Sequence, residues 1–244
     1  MTCIDINADL GEGLNNEHML MHYISSCNLA CGGHAGDESL MTSVAKLAKR
    51  YKVKIGAHPS FPDRENFGRS IVDMSAAALF YSVENQIKAL QKVLRKQNIQ
   101  LHHVKPHGAL YNLAASDEKT ATIILEVMKS IKLPLKLFVP YGSVISKLAL
   151  VEKIPIVYEV FADRNYNEDL TLVSRAQKNA LITNVEKVYE HVYRMIAHSE
   201  VKTIEGTVKK IKVQTVCVHG DTPTAIDLVK HLHKKLSDNG IIIR

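Results

Sequence analysis

Six stretches of this chain run from a short apolar segment straight into glycine or proline carrying histidine, acid or lysine. They are Ile4–Gly13, Cys31–Asp37, Ile55–Asp63, Val104–Asn112, Val160–Tyr166 and Val216–Asp221. Each places a group able to move a proton, hold a metal or pair with an anion just where a strand would end: Asp9, His34, His58, Lys105 with His107, Asp163, and His219. Enzymes built on parallel barrels assemble their sites this way, because the loops at the carboxyl ends of the strands converge on one face. Six such stretches therefore point to one site made from many strand ends.

Side-chain alternation along a strand sorts these residues into faces. Ile4, Ile6 and Ala8 share one face of the first segment, and Asp5, Asn7 and Asp9 the other. His103, Lys105 and His107 lie together further on, as do Val157, Glu159, Phe161 and Asp163. Cys217, His219 and Asp221 follow Thr215. Burying Asp5, Asn7, Asp9, Lys105 and Glu159 without partners would cost several kcal/mol each, so they are expected to pair, bind a ligand or hold a metal. One strand-end histidine is most simply a structural residue. Four of them (His34, His58, His107 and His219), each beside glycine or proline, favour function for the set. His18, His22, His102, His191, His198, His231 and His233 fall on helices or opposite faces and read as structural.

The elements that must position these groups alternate between strand-like and helix-like patterns without a linker or low-complexity break, which argues for a parallel sheet with crossover helices. Strands are predicted near residues 3–9, 26–31, 53–57, 100–105, 135–139, 155–161 and 213–218. Ser75 is a candidate N-cap for a helix whose apolar stripe is Leu79, Val83, Ile87, Leu90 and Leu94. Further helices are predicted around 38–51, 117–131 and 184–198, and a last one opens at Asp221-Thr-Pro223 and stops at Asn239-Gly240. Seven strands in 244 residues suit an α/β fold: one irregular (β/α) barrel of about seven parallel strands, spanning residues 1–244 as a single domain. The first βα turn lacks the third glycine of a dinucleotide fingerprint, and no GxxxxGK[ST] occurs, which argues against an open nucleotide-binding sheet.

Composition narrows the function classes. Apolar residues make up 46% and charged residues 23%, the balance of a protein with a sizeable core. No apolar run approaches the roughly 18 residues of a membrane span, and the chain opens on a strand-like segment, so a cytoplasmic location is expected. The net charge of +6 is spread over predicted helix faces and is not interleaved with aromatics, which are only 6%; nucleic-acid binding is not expected. Cys3, Cys27, Cys31 and Cys217 have no CxxC spacing and read as free thiols.

At the chemical motifs the chain resembles the LamB/YcsF family. The matching segments are Asn7-Ala-Asp-Leu-Gly-Glu-Gly13, Asn28-Leu-Ala-Cys-Gly-Gly-His-Ala-Gly-Asp37, Gly56-Ala-His-Pro59, Phe67-Gly-Arg69, His103-Val-Lys-Pro-His-Gly-Ala-Leu-Tyr-Asn112, Glu159-Val-Phe-Ala-Asp-Arg164, Leu172-Val-Ser-Arg175 and Val218-His-Gly-Asp-Thr-Pro223. They run in family order over nearly the whole chain. The resemblance implies a barrel of the glycoside hydrolase/deacetylase type and one component of an ATP-dependent 5-oxoprolinase. That enzyme opens the lactam of 5-oxoproline to L-glutamate while ATP becomes ADP and phosphate, and it works with partner subunits B and C. The chain departs from the family pattern in a shorter loop after Gly13, in Asn179 where glycine is expected, and in Leu170 where glycine often stands.

The resemblance and the residues agree on chemistry. An unstrained lactam is a poor electrophile that ATP, with Mg2+, can activate by phosphorylating the amide oxygen. Lys105, Arg69 and Arg164 could bind phosphate or the substrate carboxylate. Asp9, Glu159 or Asp163 could act as base, with His107 or His58 as proton donor. Asn7, Glu12, His34, Tyr111, His219 and Asp221 complete the candidate binding set. The alternative is a metal-dependent amidohydrolase or carbohydrate deacetylase using Asp9, His34 and His58 as a triad with open positions for water. A barrel that binds 5-oxoproline or scaffolds its partners without turnover is a third possibility.

Overall fold

The computed structural model describes residues 2–220 and 224–244. The first half of the chain contains β1 (Cys3–Leu10), α1 (Glu17–Leu20), β2 (Ser26–Ala30), α2 (Glu38–Tyr51), β3 (Lys54–His58), α3 (Ala76–Lys96), β4 (Leu101–Val104), α4 (Gly108–Ser116) and α5 (Glu118–Ser130). The second half contains β5 (Lys136–Pro140), α6 (Val144–Val151), β6 (Ile156–Phe161), α7 (Val185–His198), β7 (Glu200–Lys202), β8 (Val208–Lys210), β9 (Thr215–Val218), α8 (Ala225–Asp238) and β10 (Ile242–Ile243).

Seven strands close into a parallel barrel in the order β1-β2-β3-β4-β5-β6-β9, with β9 returning to β1. Closure is made by the pairs Asp5–Thr215 and Asn7–Cys217 on one side of β9, and by Glu159–Thr215 and Phe161–Cys217 on the other. β10 adds to the outer edge of β1 through Cys3–Ile242. Where an eight-unit barrel would place another regular unit, residues 162–214 carry a long loop, α7 and the antiparallel hairpin β7–β8. That excursion is the irregularity.

Each predicted strand has its counterpart in the barrel. The predicted helices form, and Ser75 caps its helix as expected, accepting from Ala78 N; Asp37 accepts likewise from Leu40 N, Asp117 from Thr120 N and Asn184 from Lys187 N. Each satisfies an N–H that the first helical turn leaves open. The predicted opening of the last helix at 221–223 lies outside the described residues; its described part starts at Ala225. Periodicity does not reveal α4 and α6. Both are short and rich in alanine, leucine and valine (Ala109, Leu110 and Ala114 in α4, Ile145 and Ala149 in α6, all buried), so neither shows the polar face that makes a helical stripe visible.

The core is the layer between barrel and helices. Ile6, Ala8, Cys27, Leu29, Ile55, Val104, Leu137, Val160 and Val216 point outward from the strands and meet Ala45, Ile87, Leu90, Leu125 and Val229 of the helices in one continuous cluster. The barrel interior is different. Three-layered aliphatic packing is usual there, but here alternation turns the other parity inward, and that parity is polar.

Two departures from the family pattern have a backbone reason. Leu170 (φ 67°) and Asn179 (φ 62°) both occupy the left-handed region, where glycine is at no steric disadvantage. Asparagine tolerates it, and a leucine there is strained. Leu170 lines the central cavity, so that strain sits at the site's edge.

Candidate active site

The inward faces of the strands build a hydrogen-bonded lattice. Asp5 accepts from Ser26 Oγ at 2.7 Å and from Thr215 Oγ1 at 2.5 Å. Asn7 donates to Thr215 Oγ1 at 2.7 Å and to Glu159 Oε1 at 3.0 Å. Asn28 donates to Asn7 Oδ1 at 2.7 Å and to Asp9 Oδ1 at 2.8 Å. His103 closes the row: its Nε2–H donates to Asn28 Oδ1 at 2.8 Å, leaving Nδ1 to accept from His102 at 3.0 Å. The His103 ring lies flat on Phe138, centroids 3.9 Å apart. On its other side is Gly56, where a Cβ would come within 2.1 Å of Nε2; glycine is needed for the ring to fit.

Above this lattice stands Lys105, 2% exposed. Its ammonium is 3.0 Å from each of Asp9 Oδ1, Glu159 Oε1 and Cys217 Sγ, and 5.2 Å from the Phe161 ring centre. Burial by itself would lower the lysine pKa, but the Asp9 and Glu159 charges, with Cys217 Sγ accepting a hydrogen bond, reverse that and hold it well above the usual lysine value. For Asp9, burial pushes the pKa up, and His58 and Lys105 overcome it, holding the carboxyl well below its ordinary range. Burial and the Asp9 charge drive the Cys217 thiol well up, so it meets Lys105 as a neutral acceptor.

Beside Asp9 lies a cluster of imidazoles. His58 Nε2 is 3.4 Å from Asp9 Oδ2 and 2.9 Å from His107 Nδ1. His34 stacks on His107, centroids 3.7 Å apart and planes 8° apart, and reaches Glu12 Oε1 at 3.1 Å. Burial lowers the pKa of His34 to about 4 and, with His58 and His34 nearby, that of His107 well below the ordinary histidine value. A third group faces them from β9 and its loop. Asp163 holds His219 Nδ1 at 2.8 and 3.0 Å, and the His219 ring stacks on Phe161. Asp163 thereby acts on the site through His219 and is not itself presented as a base.

These groups open onto a cavity of about 700 Å³, within the range of small-molecule sites. Of the residues expected from sequence, Asp9, Glu12, His58, Arg69, Lys105, His107, Tyr111, Glu159, Arg164 and His219 line it. His34 and Asp163 stand behind this wall, and Asn7 belongs to the lattice below. Asp221 lies outside the described residues. Arg164 donates to Val173 O at 2.6 Å, while its Nε has no partner. The Tyr111 hydroxyl and Glu159 Oε2 are also buried without a well-formed hydrogen bond. Burial and the adjacent Glu159 raise the tyrosine pKa, so it is a donor at neutral pH. Unsatisfied buried donors and acceptors in a cavity wall are the positions a polar ligand would complete.

Sequence reasoning does not single out Asn28, His103 and Cys217 for the site. The Ser26–Asn28 alternation in β2 and the inward parity of Cys217 are the signals that could have found them. The metal triad expected from sequence, Asp9, His34 and His58, is also regrouped. The groups whose ligand atoms converge within 4.8 Å are Glu12, His34, His58 and His107, and Asp9, Cys217 and His219. His34 turns to Glu12 and His107, which sequence spacing could not show.

Comparison with known proteins finds full-length relatives of this chain. The 5-oxoprolinase A subunit of Haemophilus influenzae is 40% identical over 243 residues, covering 100% of this chain and 99% of that protein. Its namesake from Bacillus cytotoxicus is 39% identical over 248 residues, covering 100% and 98%. The crystal structure of a lactam utilization protein from Thermus thermophilus superposes with a TM-score of 0.93 at 33% identity, over 100% of this chain and 99% of that one. A family 4 carbohydrate esterase from Streptomyces lividans shares the fold alone, with a TM-score of 0.54 at 7% identity, 99% of this chain and 91% of that one. The model of the LamB/YcsF family matches residues 4–244, and with these full-length relatives it establishes that this chain belongs to the LamB/YcsF family.

Proposed function

We propose that the chain is the hydrolase component that opens the lactam of 5-oxoproline to L-glutamate, coupled to conversion of Mg-ATP to ADP and phosphate, in a complex with subunits B and C. The observation that carries this reading is the buried Lys105, caged by Asp9 and Glu159 beneath a cavity whose wall also holds Arg69 and Arg164. Such a cavity suits a small anion whose reacting oxygen gains charge. The arginines suit a carboxylate or phosphate, since guanidinium pairs with either through two parallel hydrogen bonds. Lys105 and the Tyr111 hydroxyl are placed to stabilise charge on a lactam oxygen. His219, oriented by Asp163, is the group best placed to give a proton to the departing lactam nitrogen. The full-length relatives named as 5-oxoprolinase A subunits support the substrate and the shared assembly.

Glutamate release from 5-oxoproline and Mg-ATP, followed for the chain alone and with subunits B and C, tests the proposal. Release that needs ATP and the partners is the expected result, and its loss in Lys105→Met and His219→Asn would tie it to this site. Glutamate release that continues without ATP would replace the proposal with the ATP-independent amidohydrolase.

A further inference from the structure

The His58–His107 pair meets lone pair to lone pair when both rings are neutral. His58 Nδ1 is 2.7 Å from Lys105 O, and His107 Nε2 is 2.9 Å from Phe67 O. A carbonyl oxygen only accepts, so both of these ring nitrogens must carry their protons. In neutral rings the opposite nitrogens, His58 Nε2 and His107 Nδ1, are then both bare. They face each other at 2.9 Å, lone pair against lone pair. Two carboxylates stand at the same point: Asp9 Oδ2 is 3.4 Å from His58 Nε2, and Glu12 Oε1 is 3.7 Å from His107 Nδ1. The two imidazole nitrogens and the Glu12 carboxylate lie within 4.8 Å of one another, with Asp9 beside His58, and a cation among them would relieve the lone-pair contact.

We infer that His58 Nε2, His107 Nδ1 and Glu12 form a binding site for one divalent transition-metal ion of the zinc class, with Asp9 Oδ2 standing 3.4 Å from His58 Nε2 at its edge. Ligands about 2.0–2.1 Å from a tetrahedral zinc lie roughly 3.3 Å from one another, and the His58–His107 and His107–Glu12 separations of 2.9 and 3.7 Å bracket that value. Both imidazoles have their distal N–H on a backbone carbonyl, the outer-sphere contact that orients metal-binding histidines and fixes their tautomer. A mixed nitrogen and oxygen donor set suits zinc, cobalt or manganese better than magnesium or calcium.

His34 takes an outer role. Its ring is parallel to His107 at 3.7 Å, so the two in-plane lone pairs cannot converge on one ion without a rotation. Its Nε2 instead buttresses Glu12. All three proposed ligands line the cavity, which gives an ion there access to a ligand oxygen and so Lewis-acid chemistry. This site does not depend on the oxoprolinase reading, and ATP dependence, not metal content, separates that reading from the amidohydrolase.

The experiment is metal titration of the full chain, stripped with dipicolinate and checked for fold by circular dichroism. Zn2+ binding is followed by calorimetry and Co2+ binding by visible absorption, with neither ATP nor 5-oxoproline present, so its outcome is separate from the glutamate assay. One equivalent of each metal is expected, with a Co2+ spectrum of imidazole and oxygen ligation. Affinity should fall at least about 100-fold in His58→Ala and in His107→Ala, and roughly 10–100-fold in His34→Ala, as for outer-sphere residues. A folded wild-type chain that takes up neither ion at millimolar concentration would overturn the inference and leave a shared proton as the bridge. Undiminished binding in the His58→Ala/His107→Ala double variant would overturn it equally, by moving the ion to surface histidines such as His18 and His22.

Discussion

Asp9 joins two buried polar clusters that are assembled on opposite terms. Around Lys105, donors and acceptors match: three ammonium protons meet Asp9, Glu159 and Cys217, and the second row of Asn7, Asn28 and His103 is satisfied in turn. Around His58 and His107, acceptors meet acceptors. The first cluster is matched within the fold except at Glu159 Oε2 and contributes to its stability; the second needs a cation or a proton between its two imidazoles and is suited to bind one. Both are buried and polar, so donor–acceptor balance is what distinguishes them.

The largest expected effect is on the balanced side. Lys105→Met leaves Asp9 and Glu159 as buried carboxylates without their cation, and should lower unfolding stability by about 3–5 kcal/mol in a urea titration. Metal-free His107→Gln should lose only about 1–2 kcal/mol, the worth of its bond to Phe67 O, although it belongs to the same site. Equal losses would erase the distinction between the two clusters.

Gly56→Ala attacks the far end of the lattice. The new methyl group would press on His103, which Phe138 prevents from retreating, and a destabilisation of about 1–3 kcal/mol is expected from overpacking. A melting temperature equal to wild type would mean that His103 can leave its place without cost to the cage.

Acid separates the cage from the histidines around it. Burial lowers His102 and His191 to about 4, while unfolded histidine titrates near 6.5. Between those values the unfolded chain binds protons that the folded chain refuses, so stability present above about pH 6.5 is lost as pH falls toward 4. Over that window Lys105, held high, and Asp9, held low, keep their charges. Urea midpoints measured from pH 7 to 4 should therefore decline gradually, and His191→Gln should flatten the decline.

Ser75→Ala is the smallest perturbation and the control for both clusters. It removes the cap bond to Ala78 N and should cost about 1 kcal/mol without changing turnover, because α3 supports the barrel from outside.

Much of this is legible in the residues alone, and the exceptions share a cause. Strand parity identifies Asp9, Lys105 and Glu159 because a period of two survives any tertiary arrangement. The amphipathic α3 and α7 are visible for the same reason, whereas α4 and α6 are short and apolar on most sides, α6 even where it is exposed at Leu150 and Val151, and have no polar stripe to show. Parity places Cys217 on the inward face yet does not reveal it as a partner of Lys105, since 112 residues separate them in sequence. Spacing gives His34 the wrong neighbours: a glycine-rich loop carries it, and no periodicity tells which way such a loop turns its side chain.

Local chemistry thus determined which residues are charged or basic, which face of each strand they share and where the helices begin. Those are properties of neighbours a few positions apart, governed by backbone geometry and capping. Barrel closure through β9, which sets Thr215 and Cys217 beside Asp5, Asn7 and Glu159, was decided only in three dimensions. So was the meeting of two bare imidazole nitrogens, because it depends on which carbonyls claim the opposite edges of the rings, and those carbonyls belong to Lys105 and Phe67, residues 47 and 40 positions away.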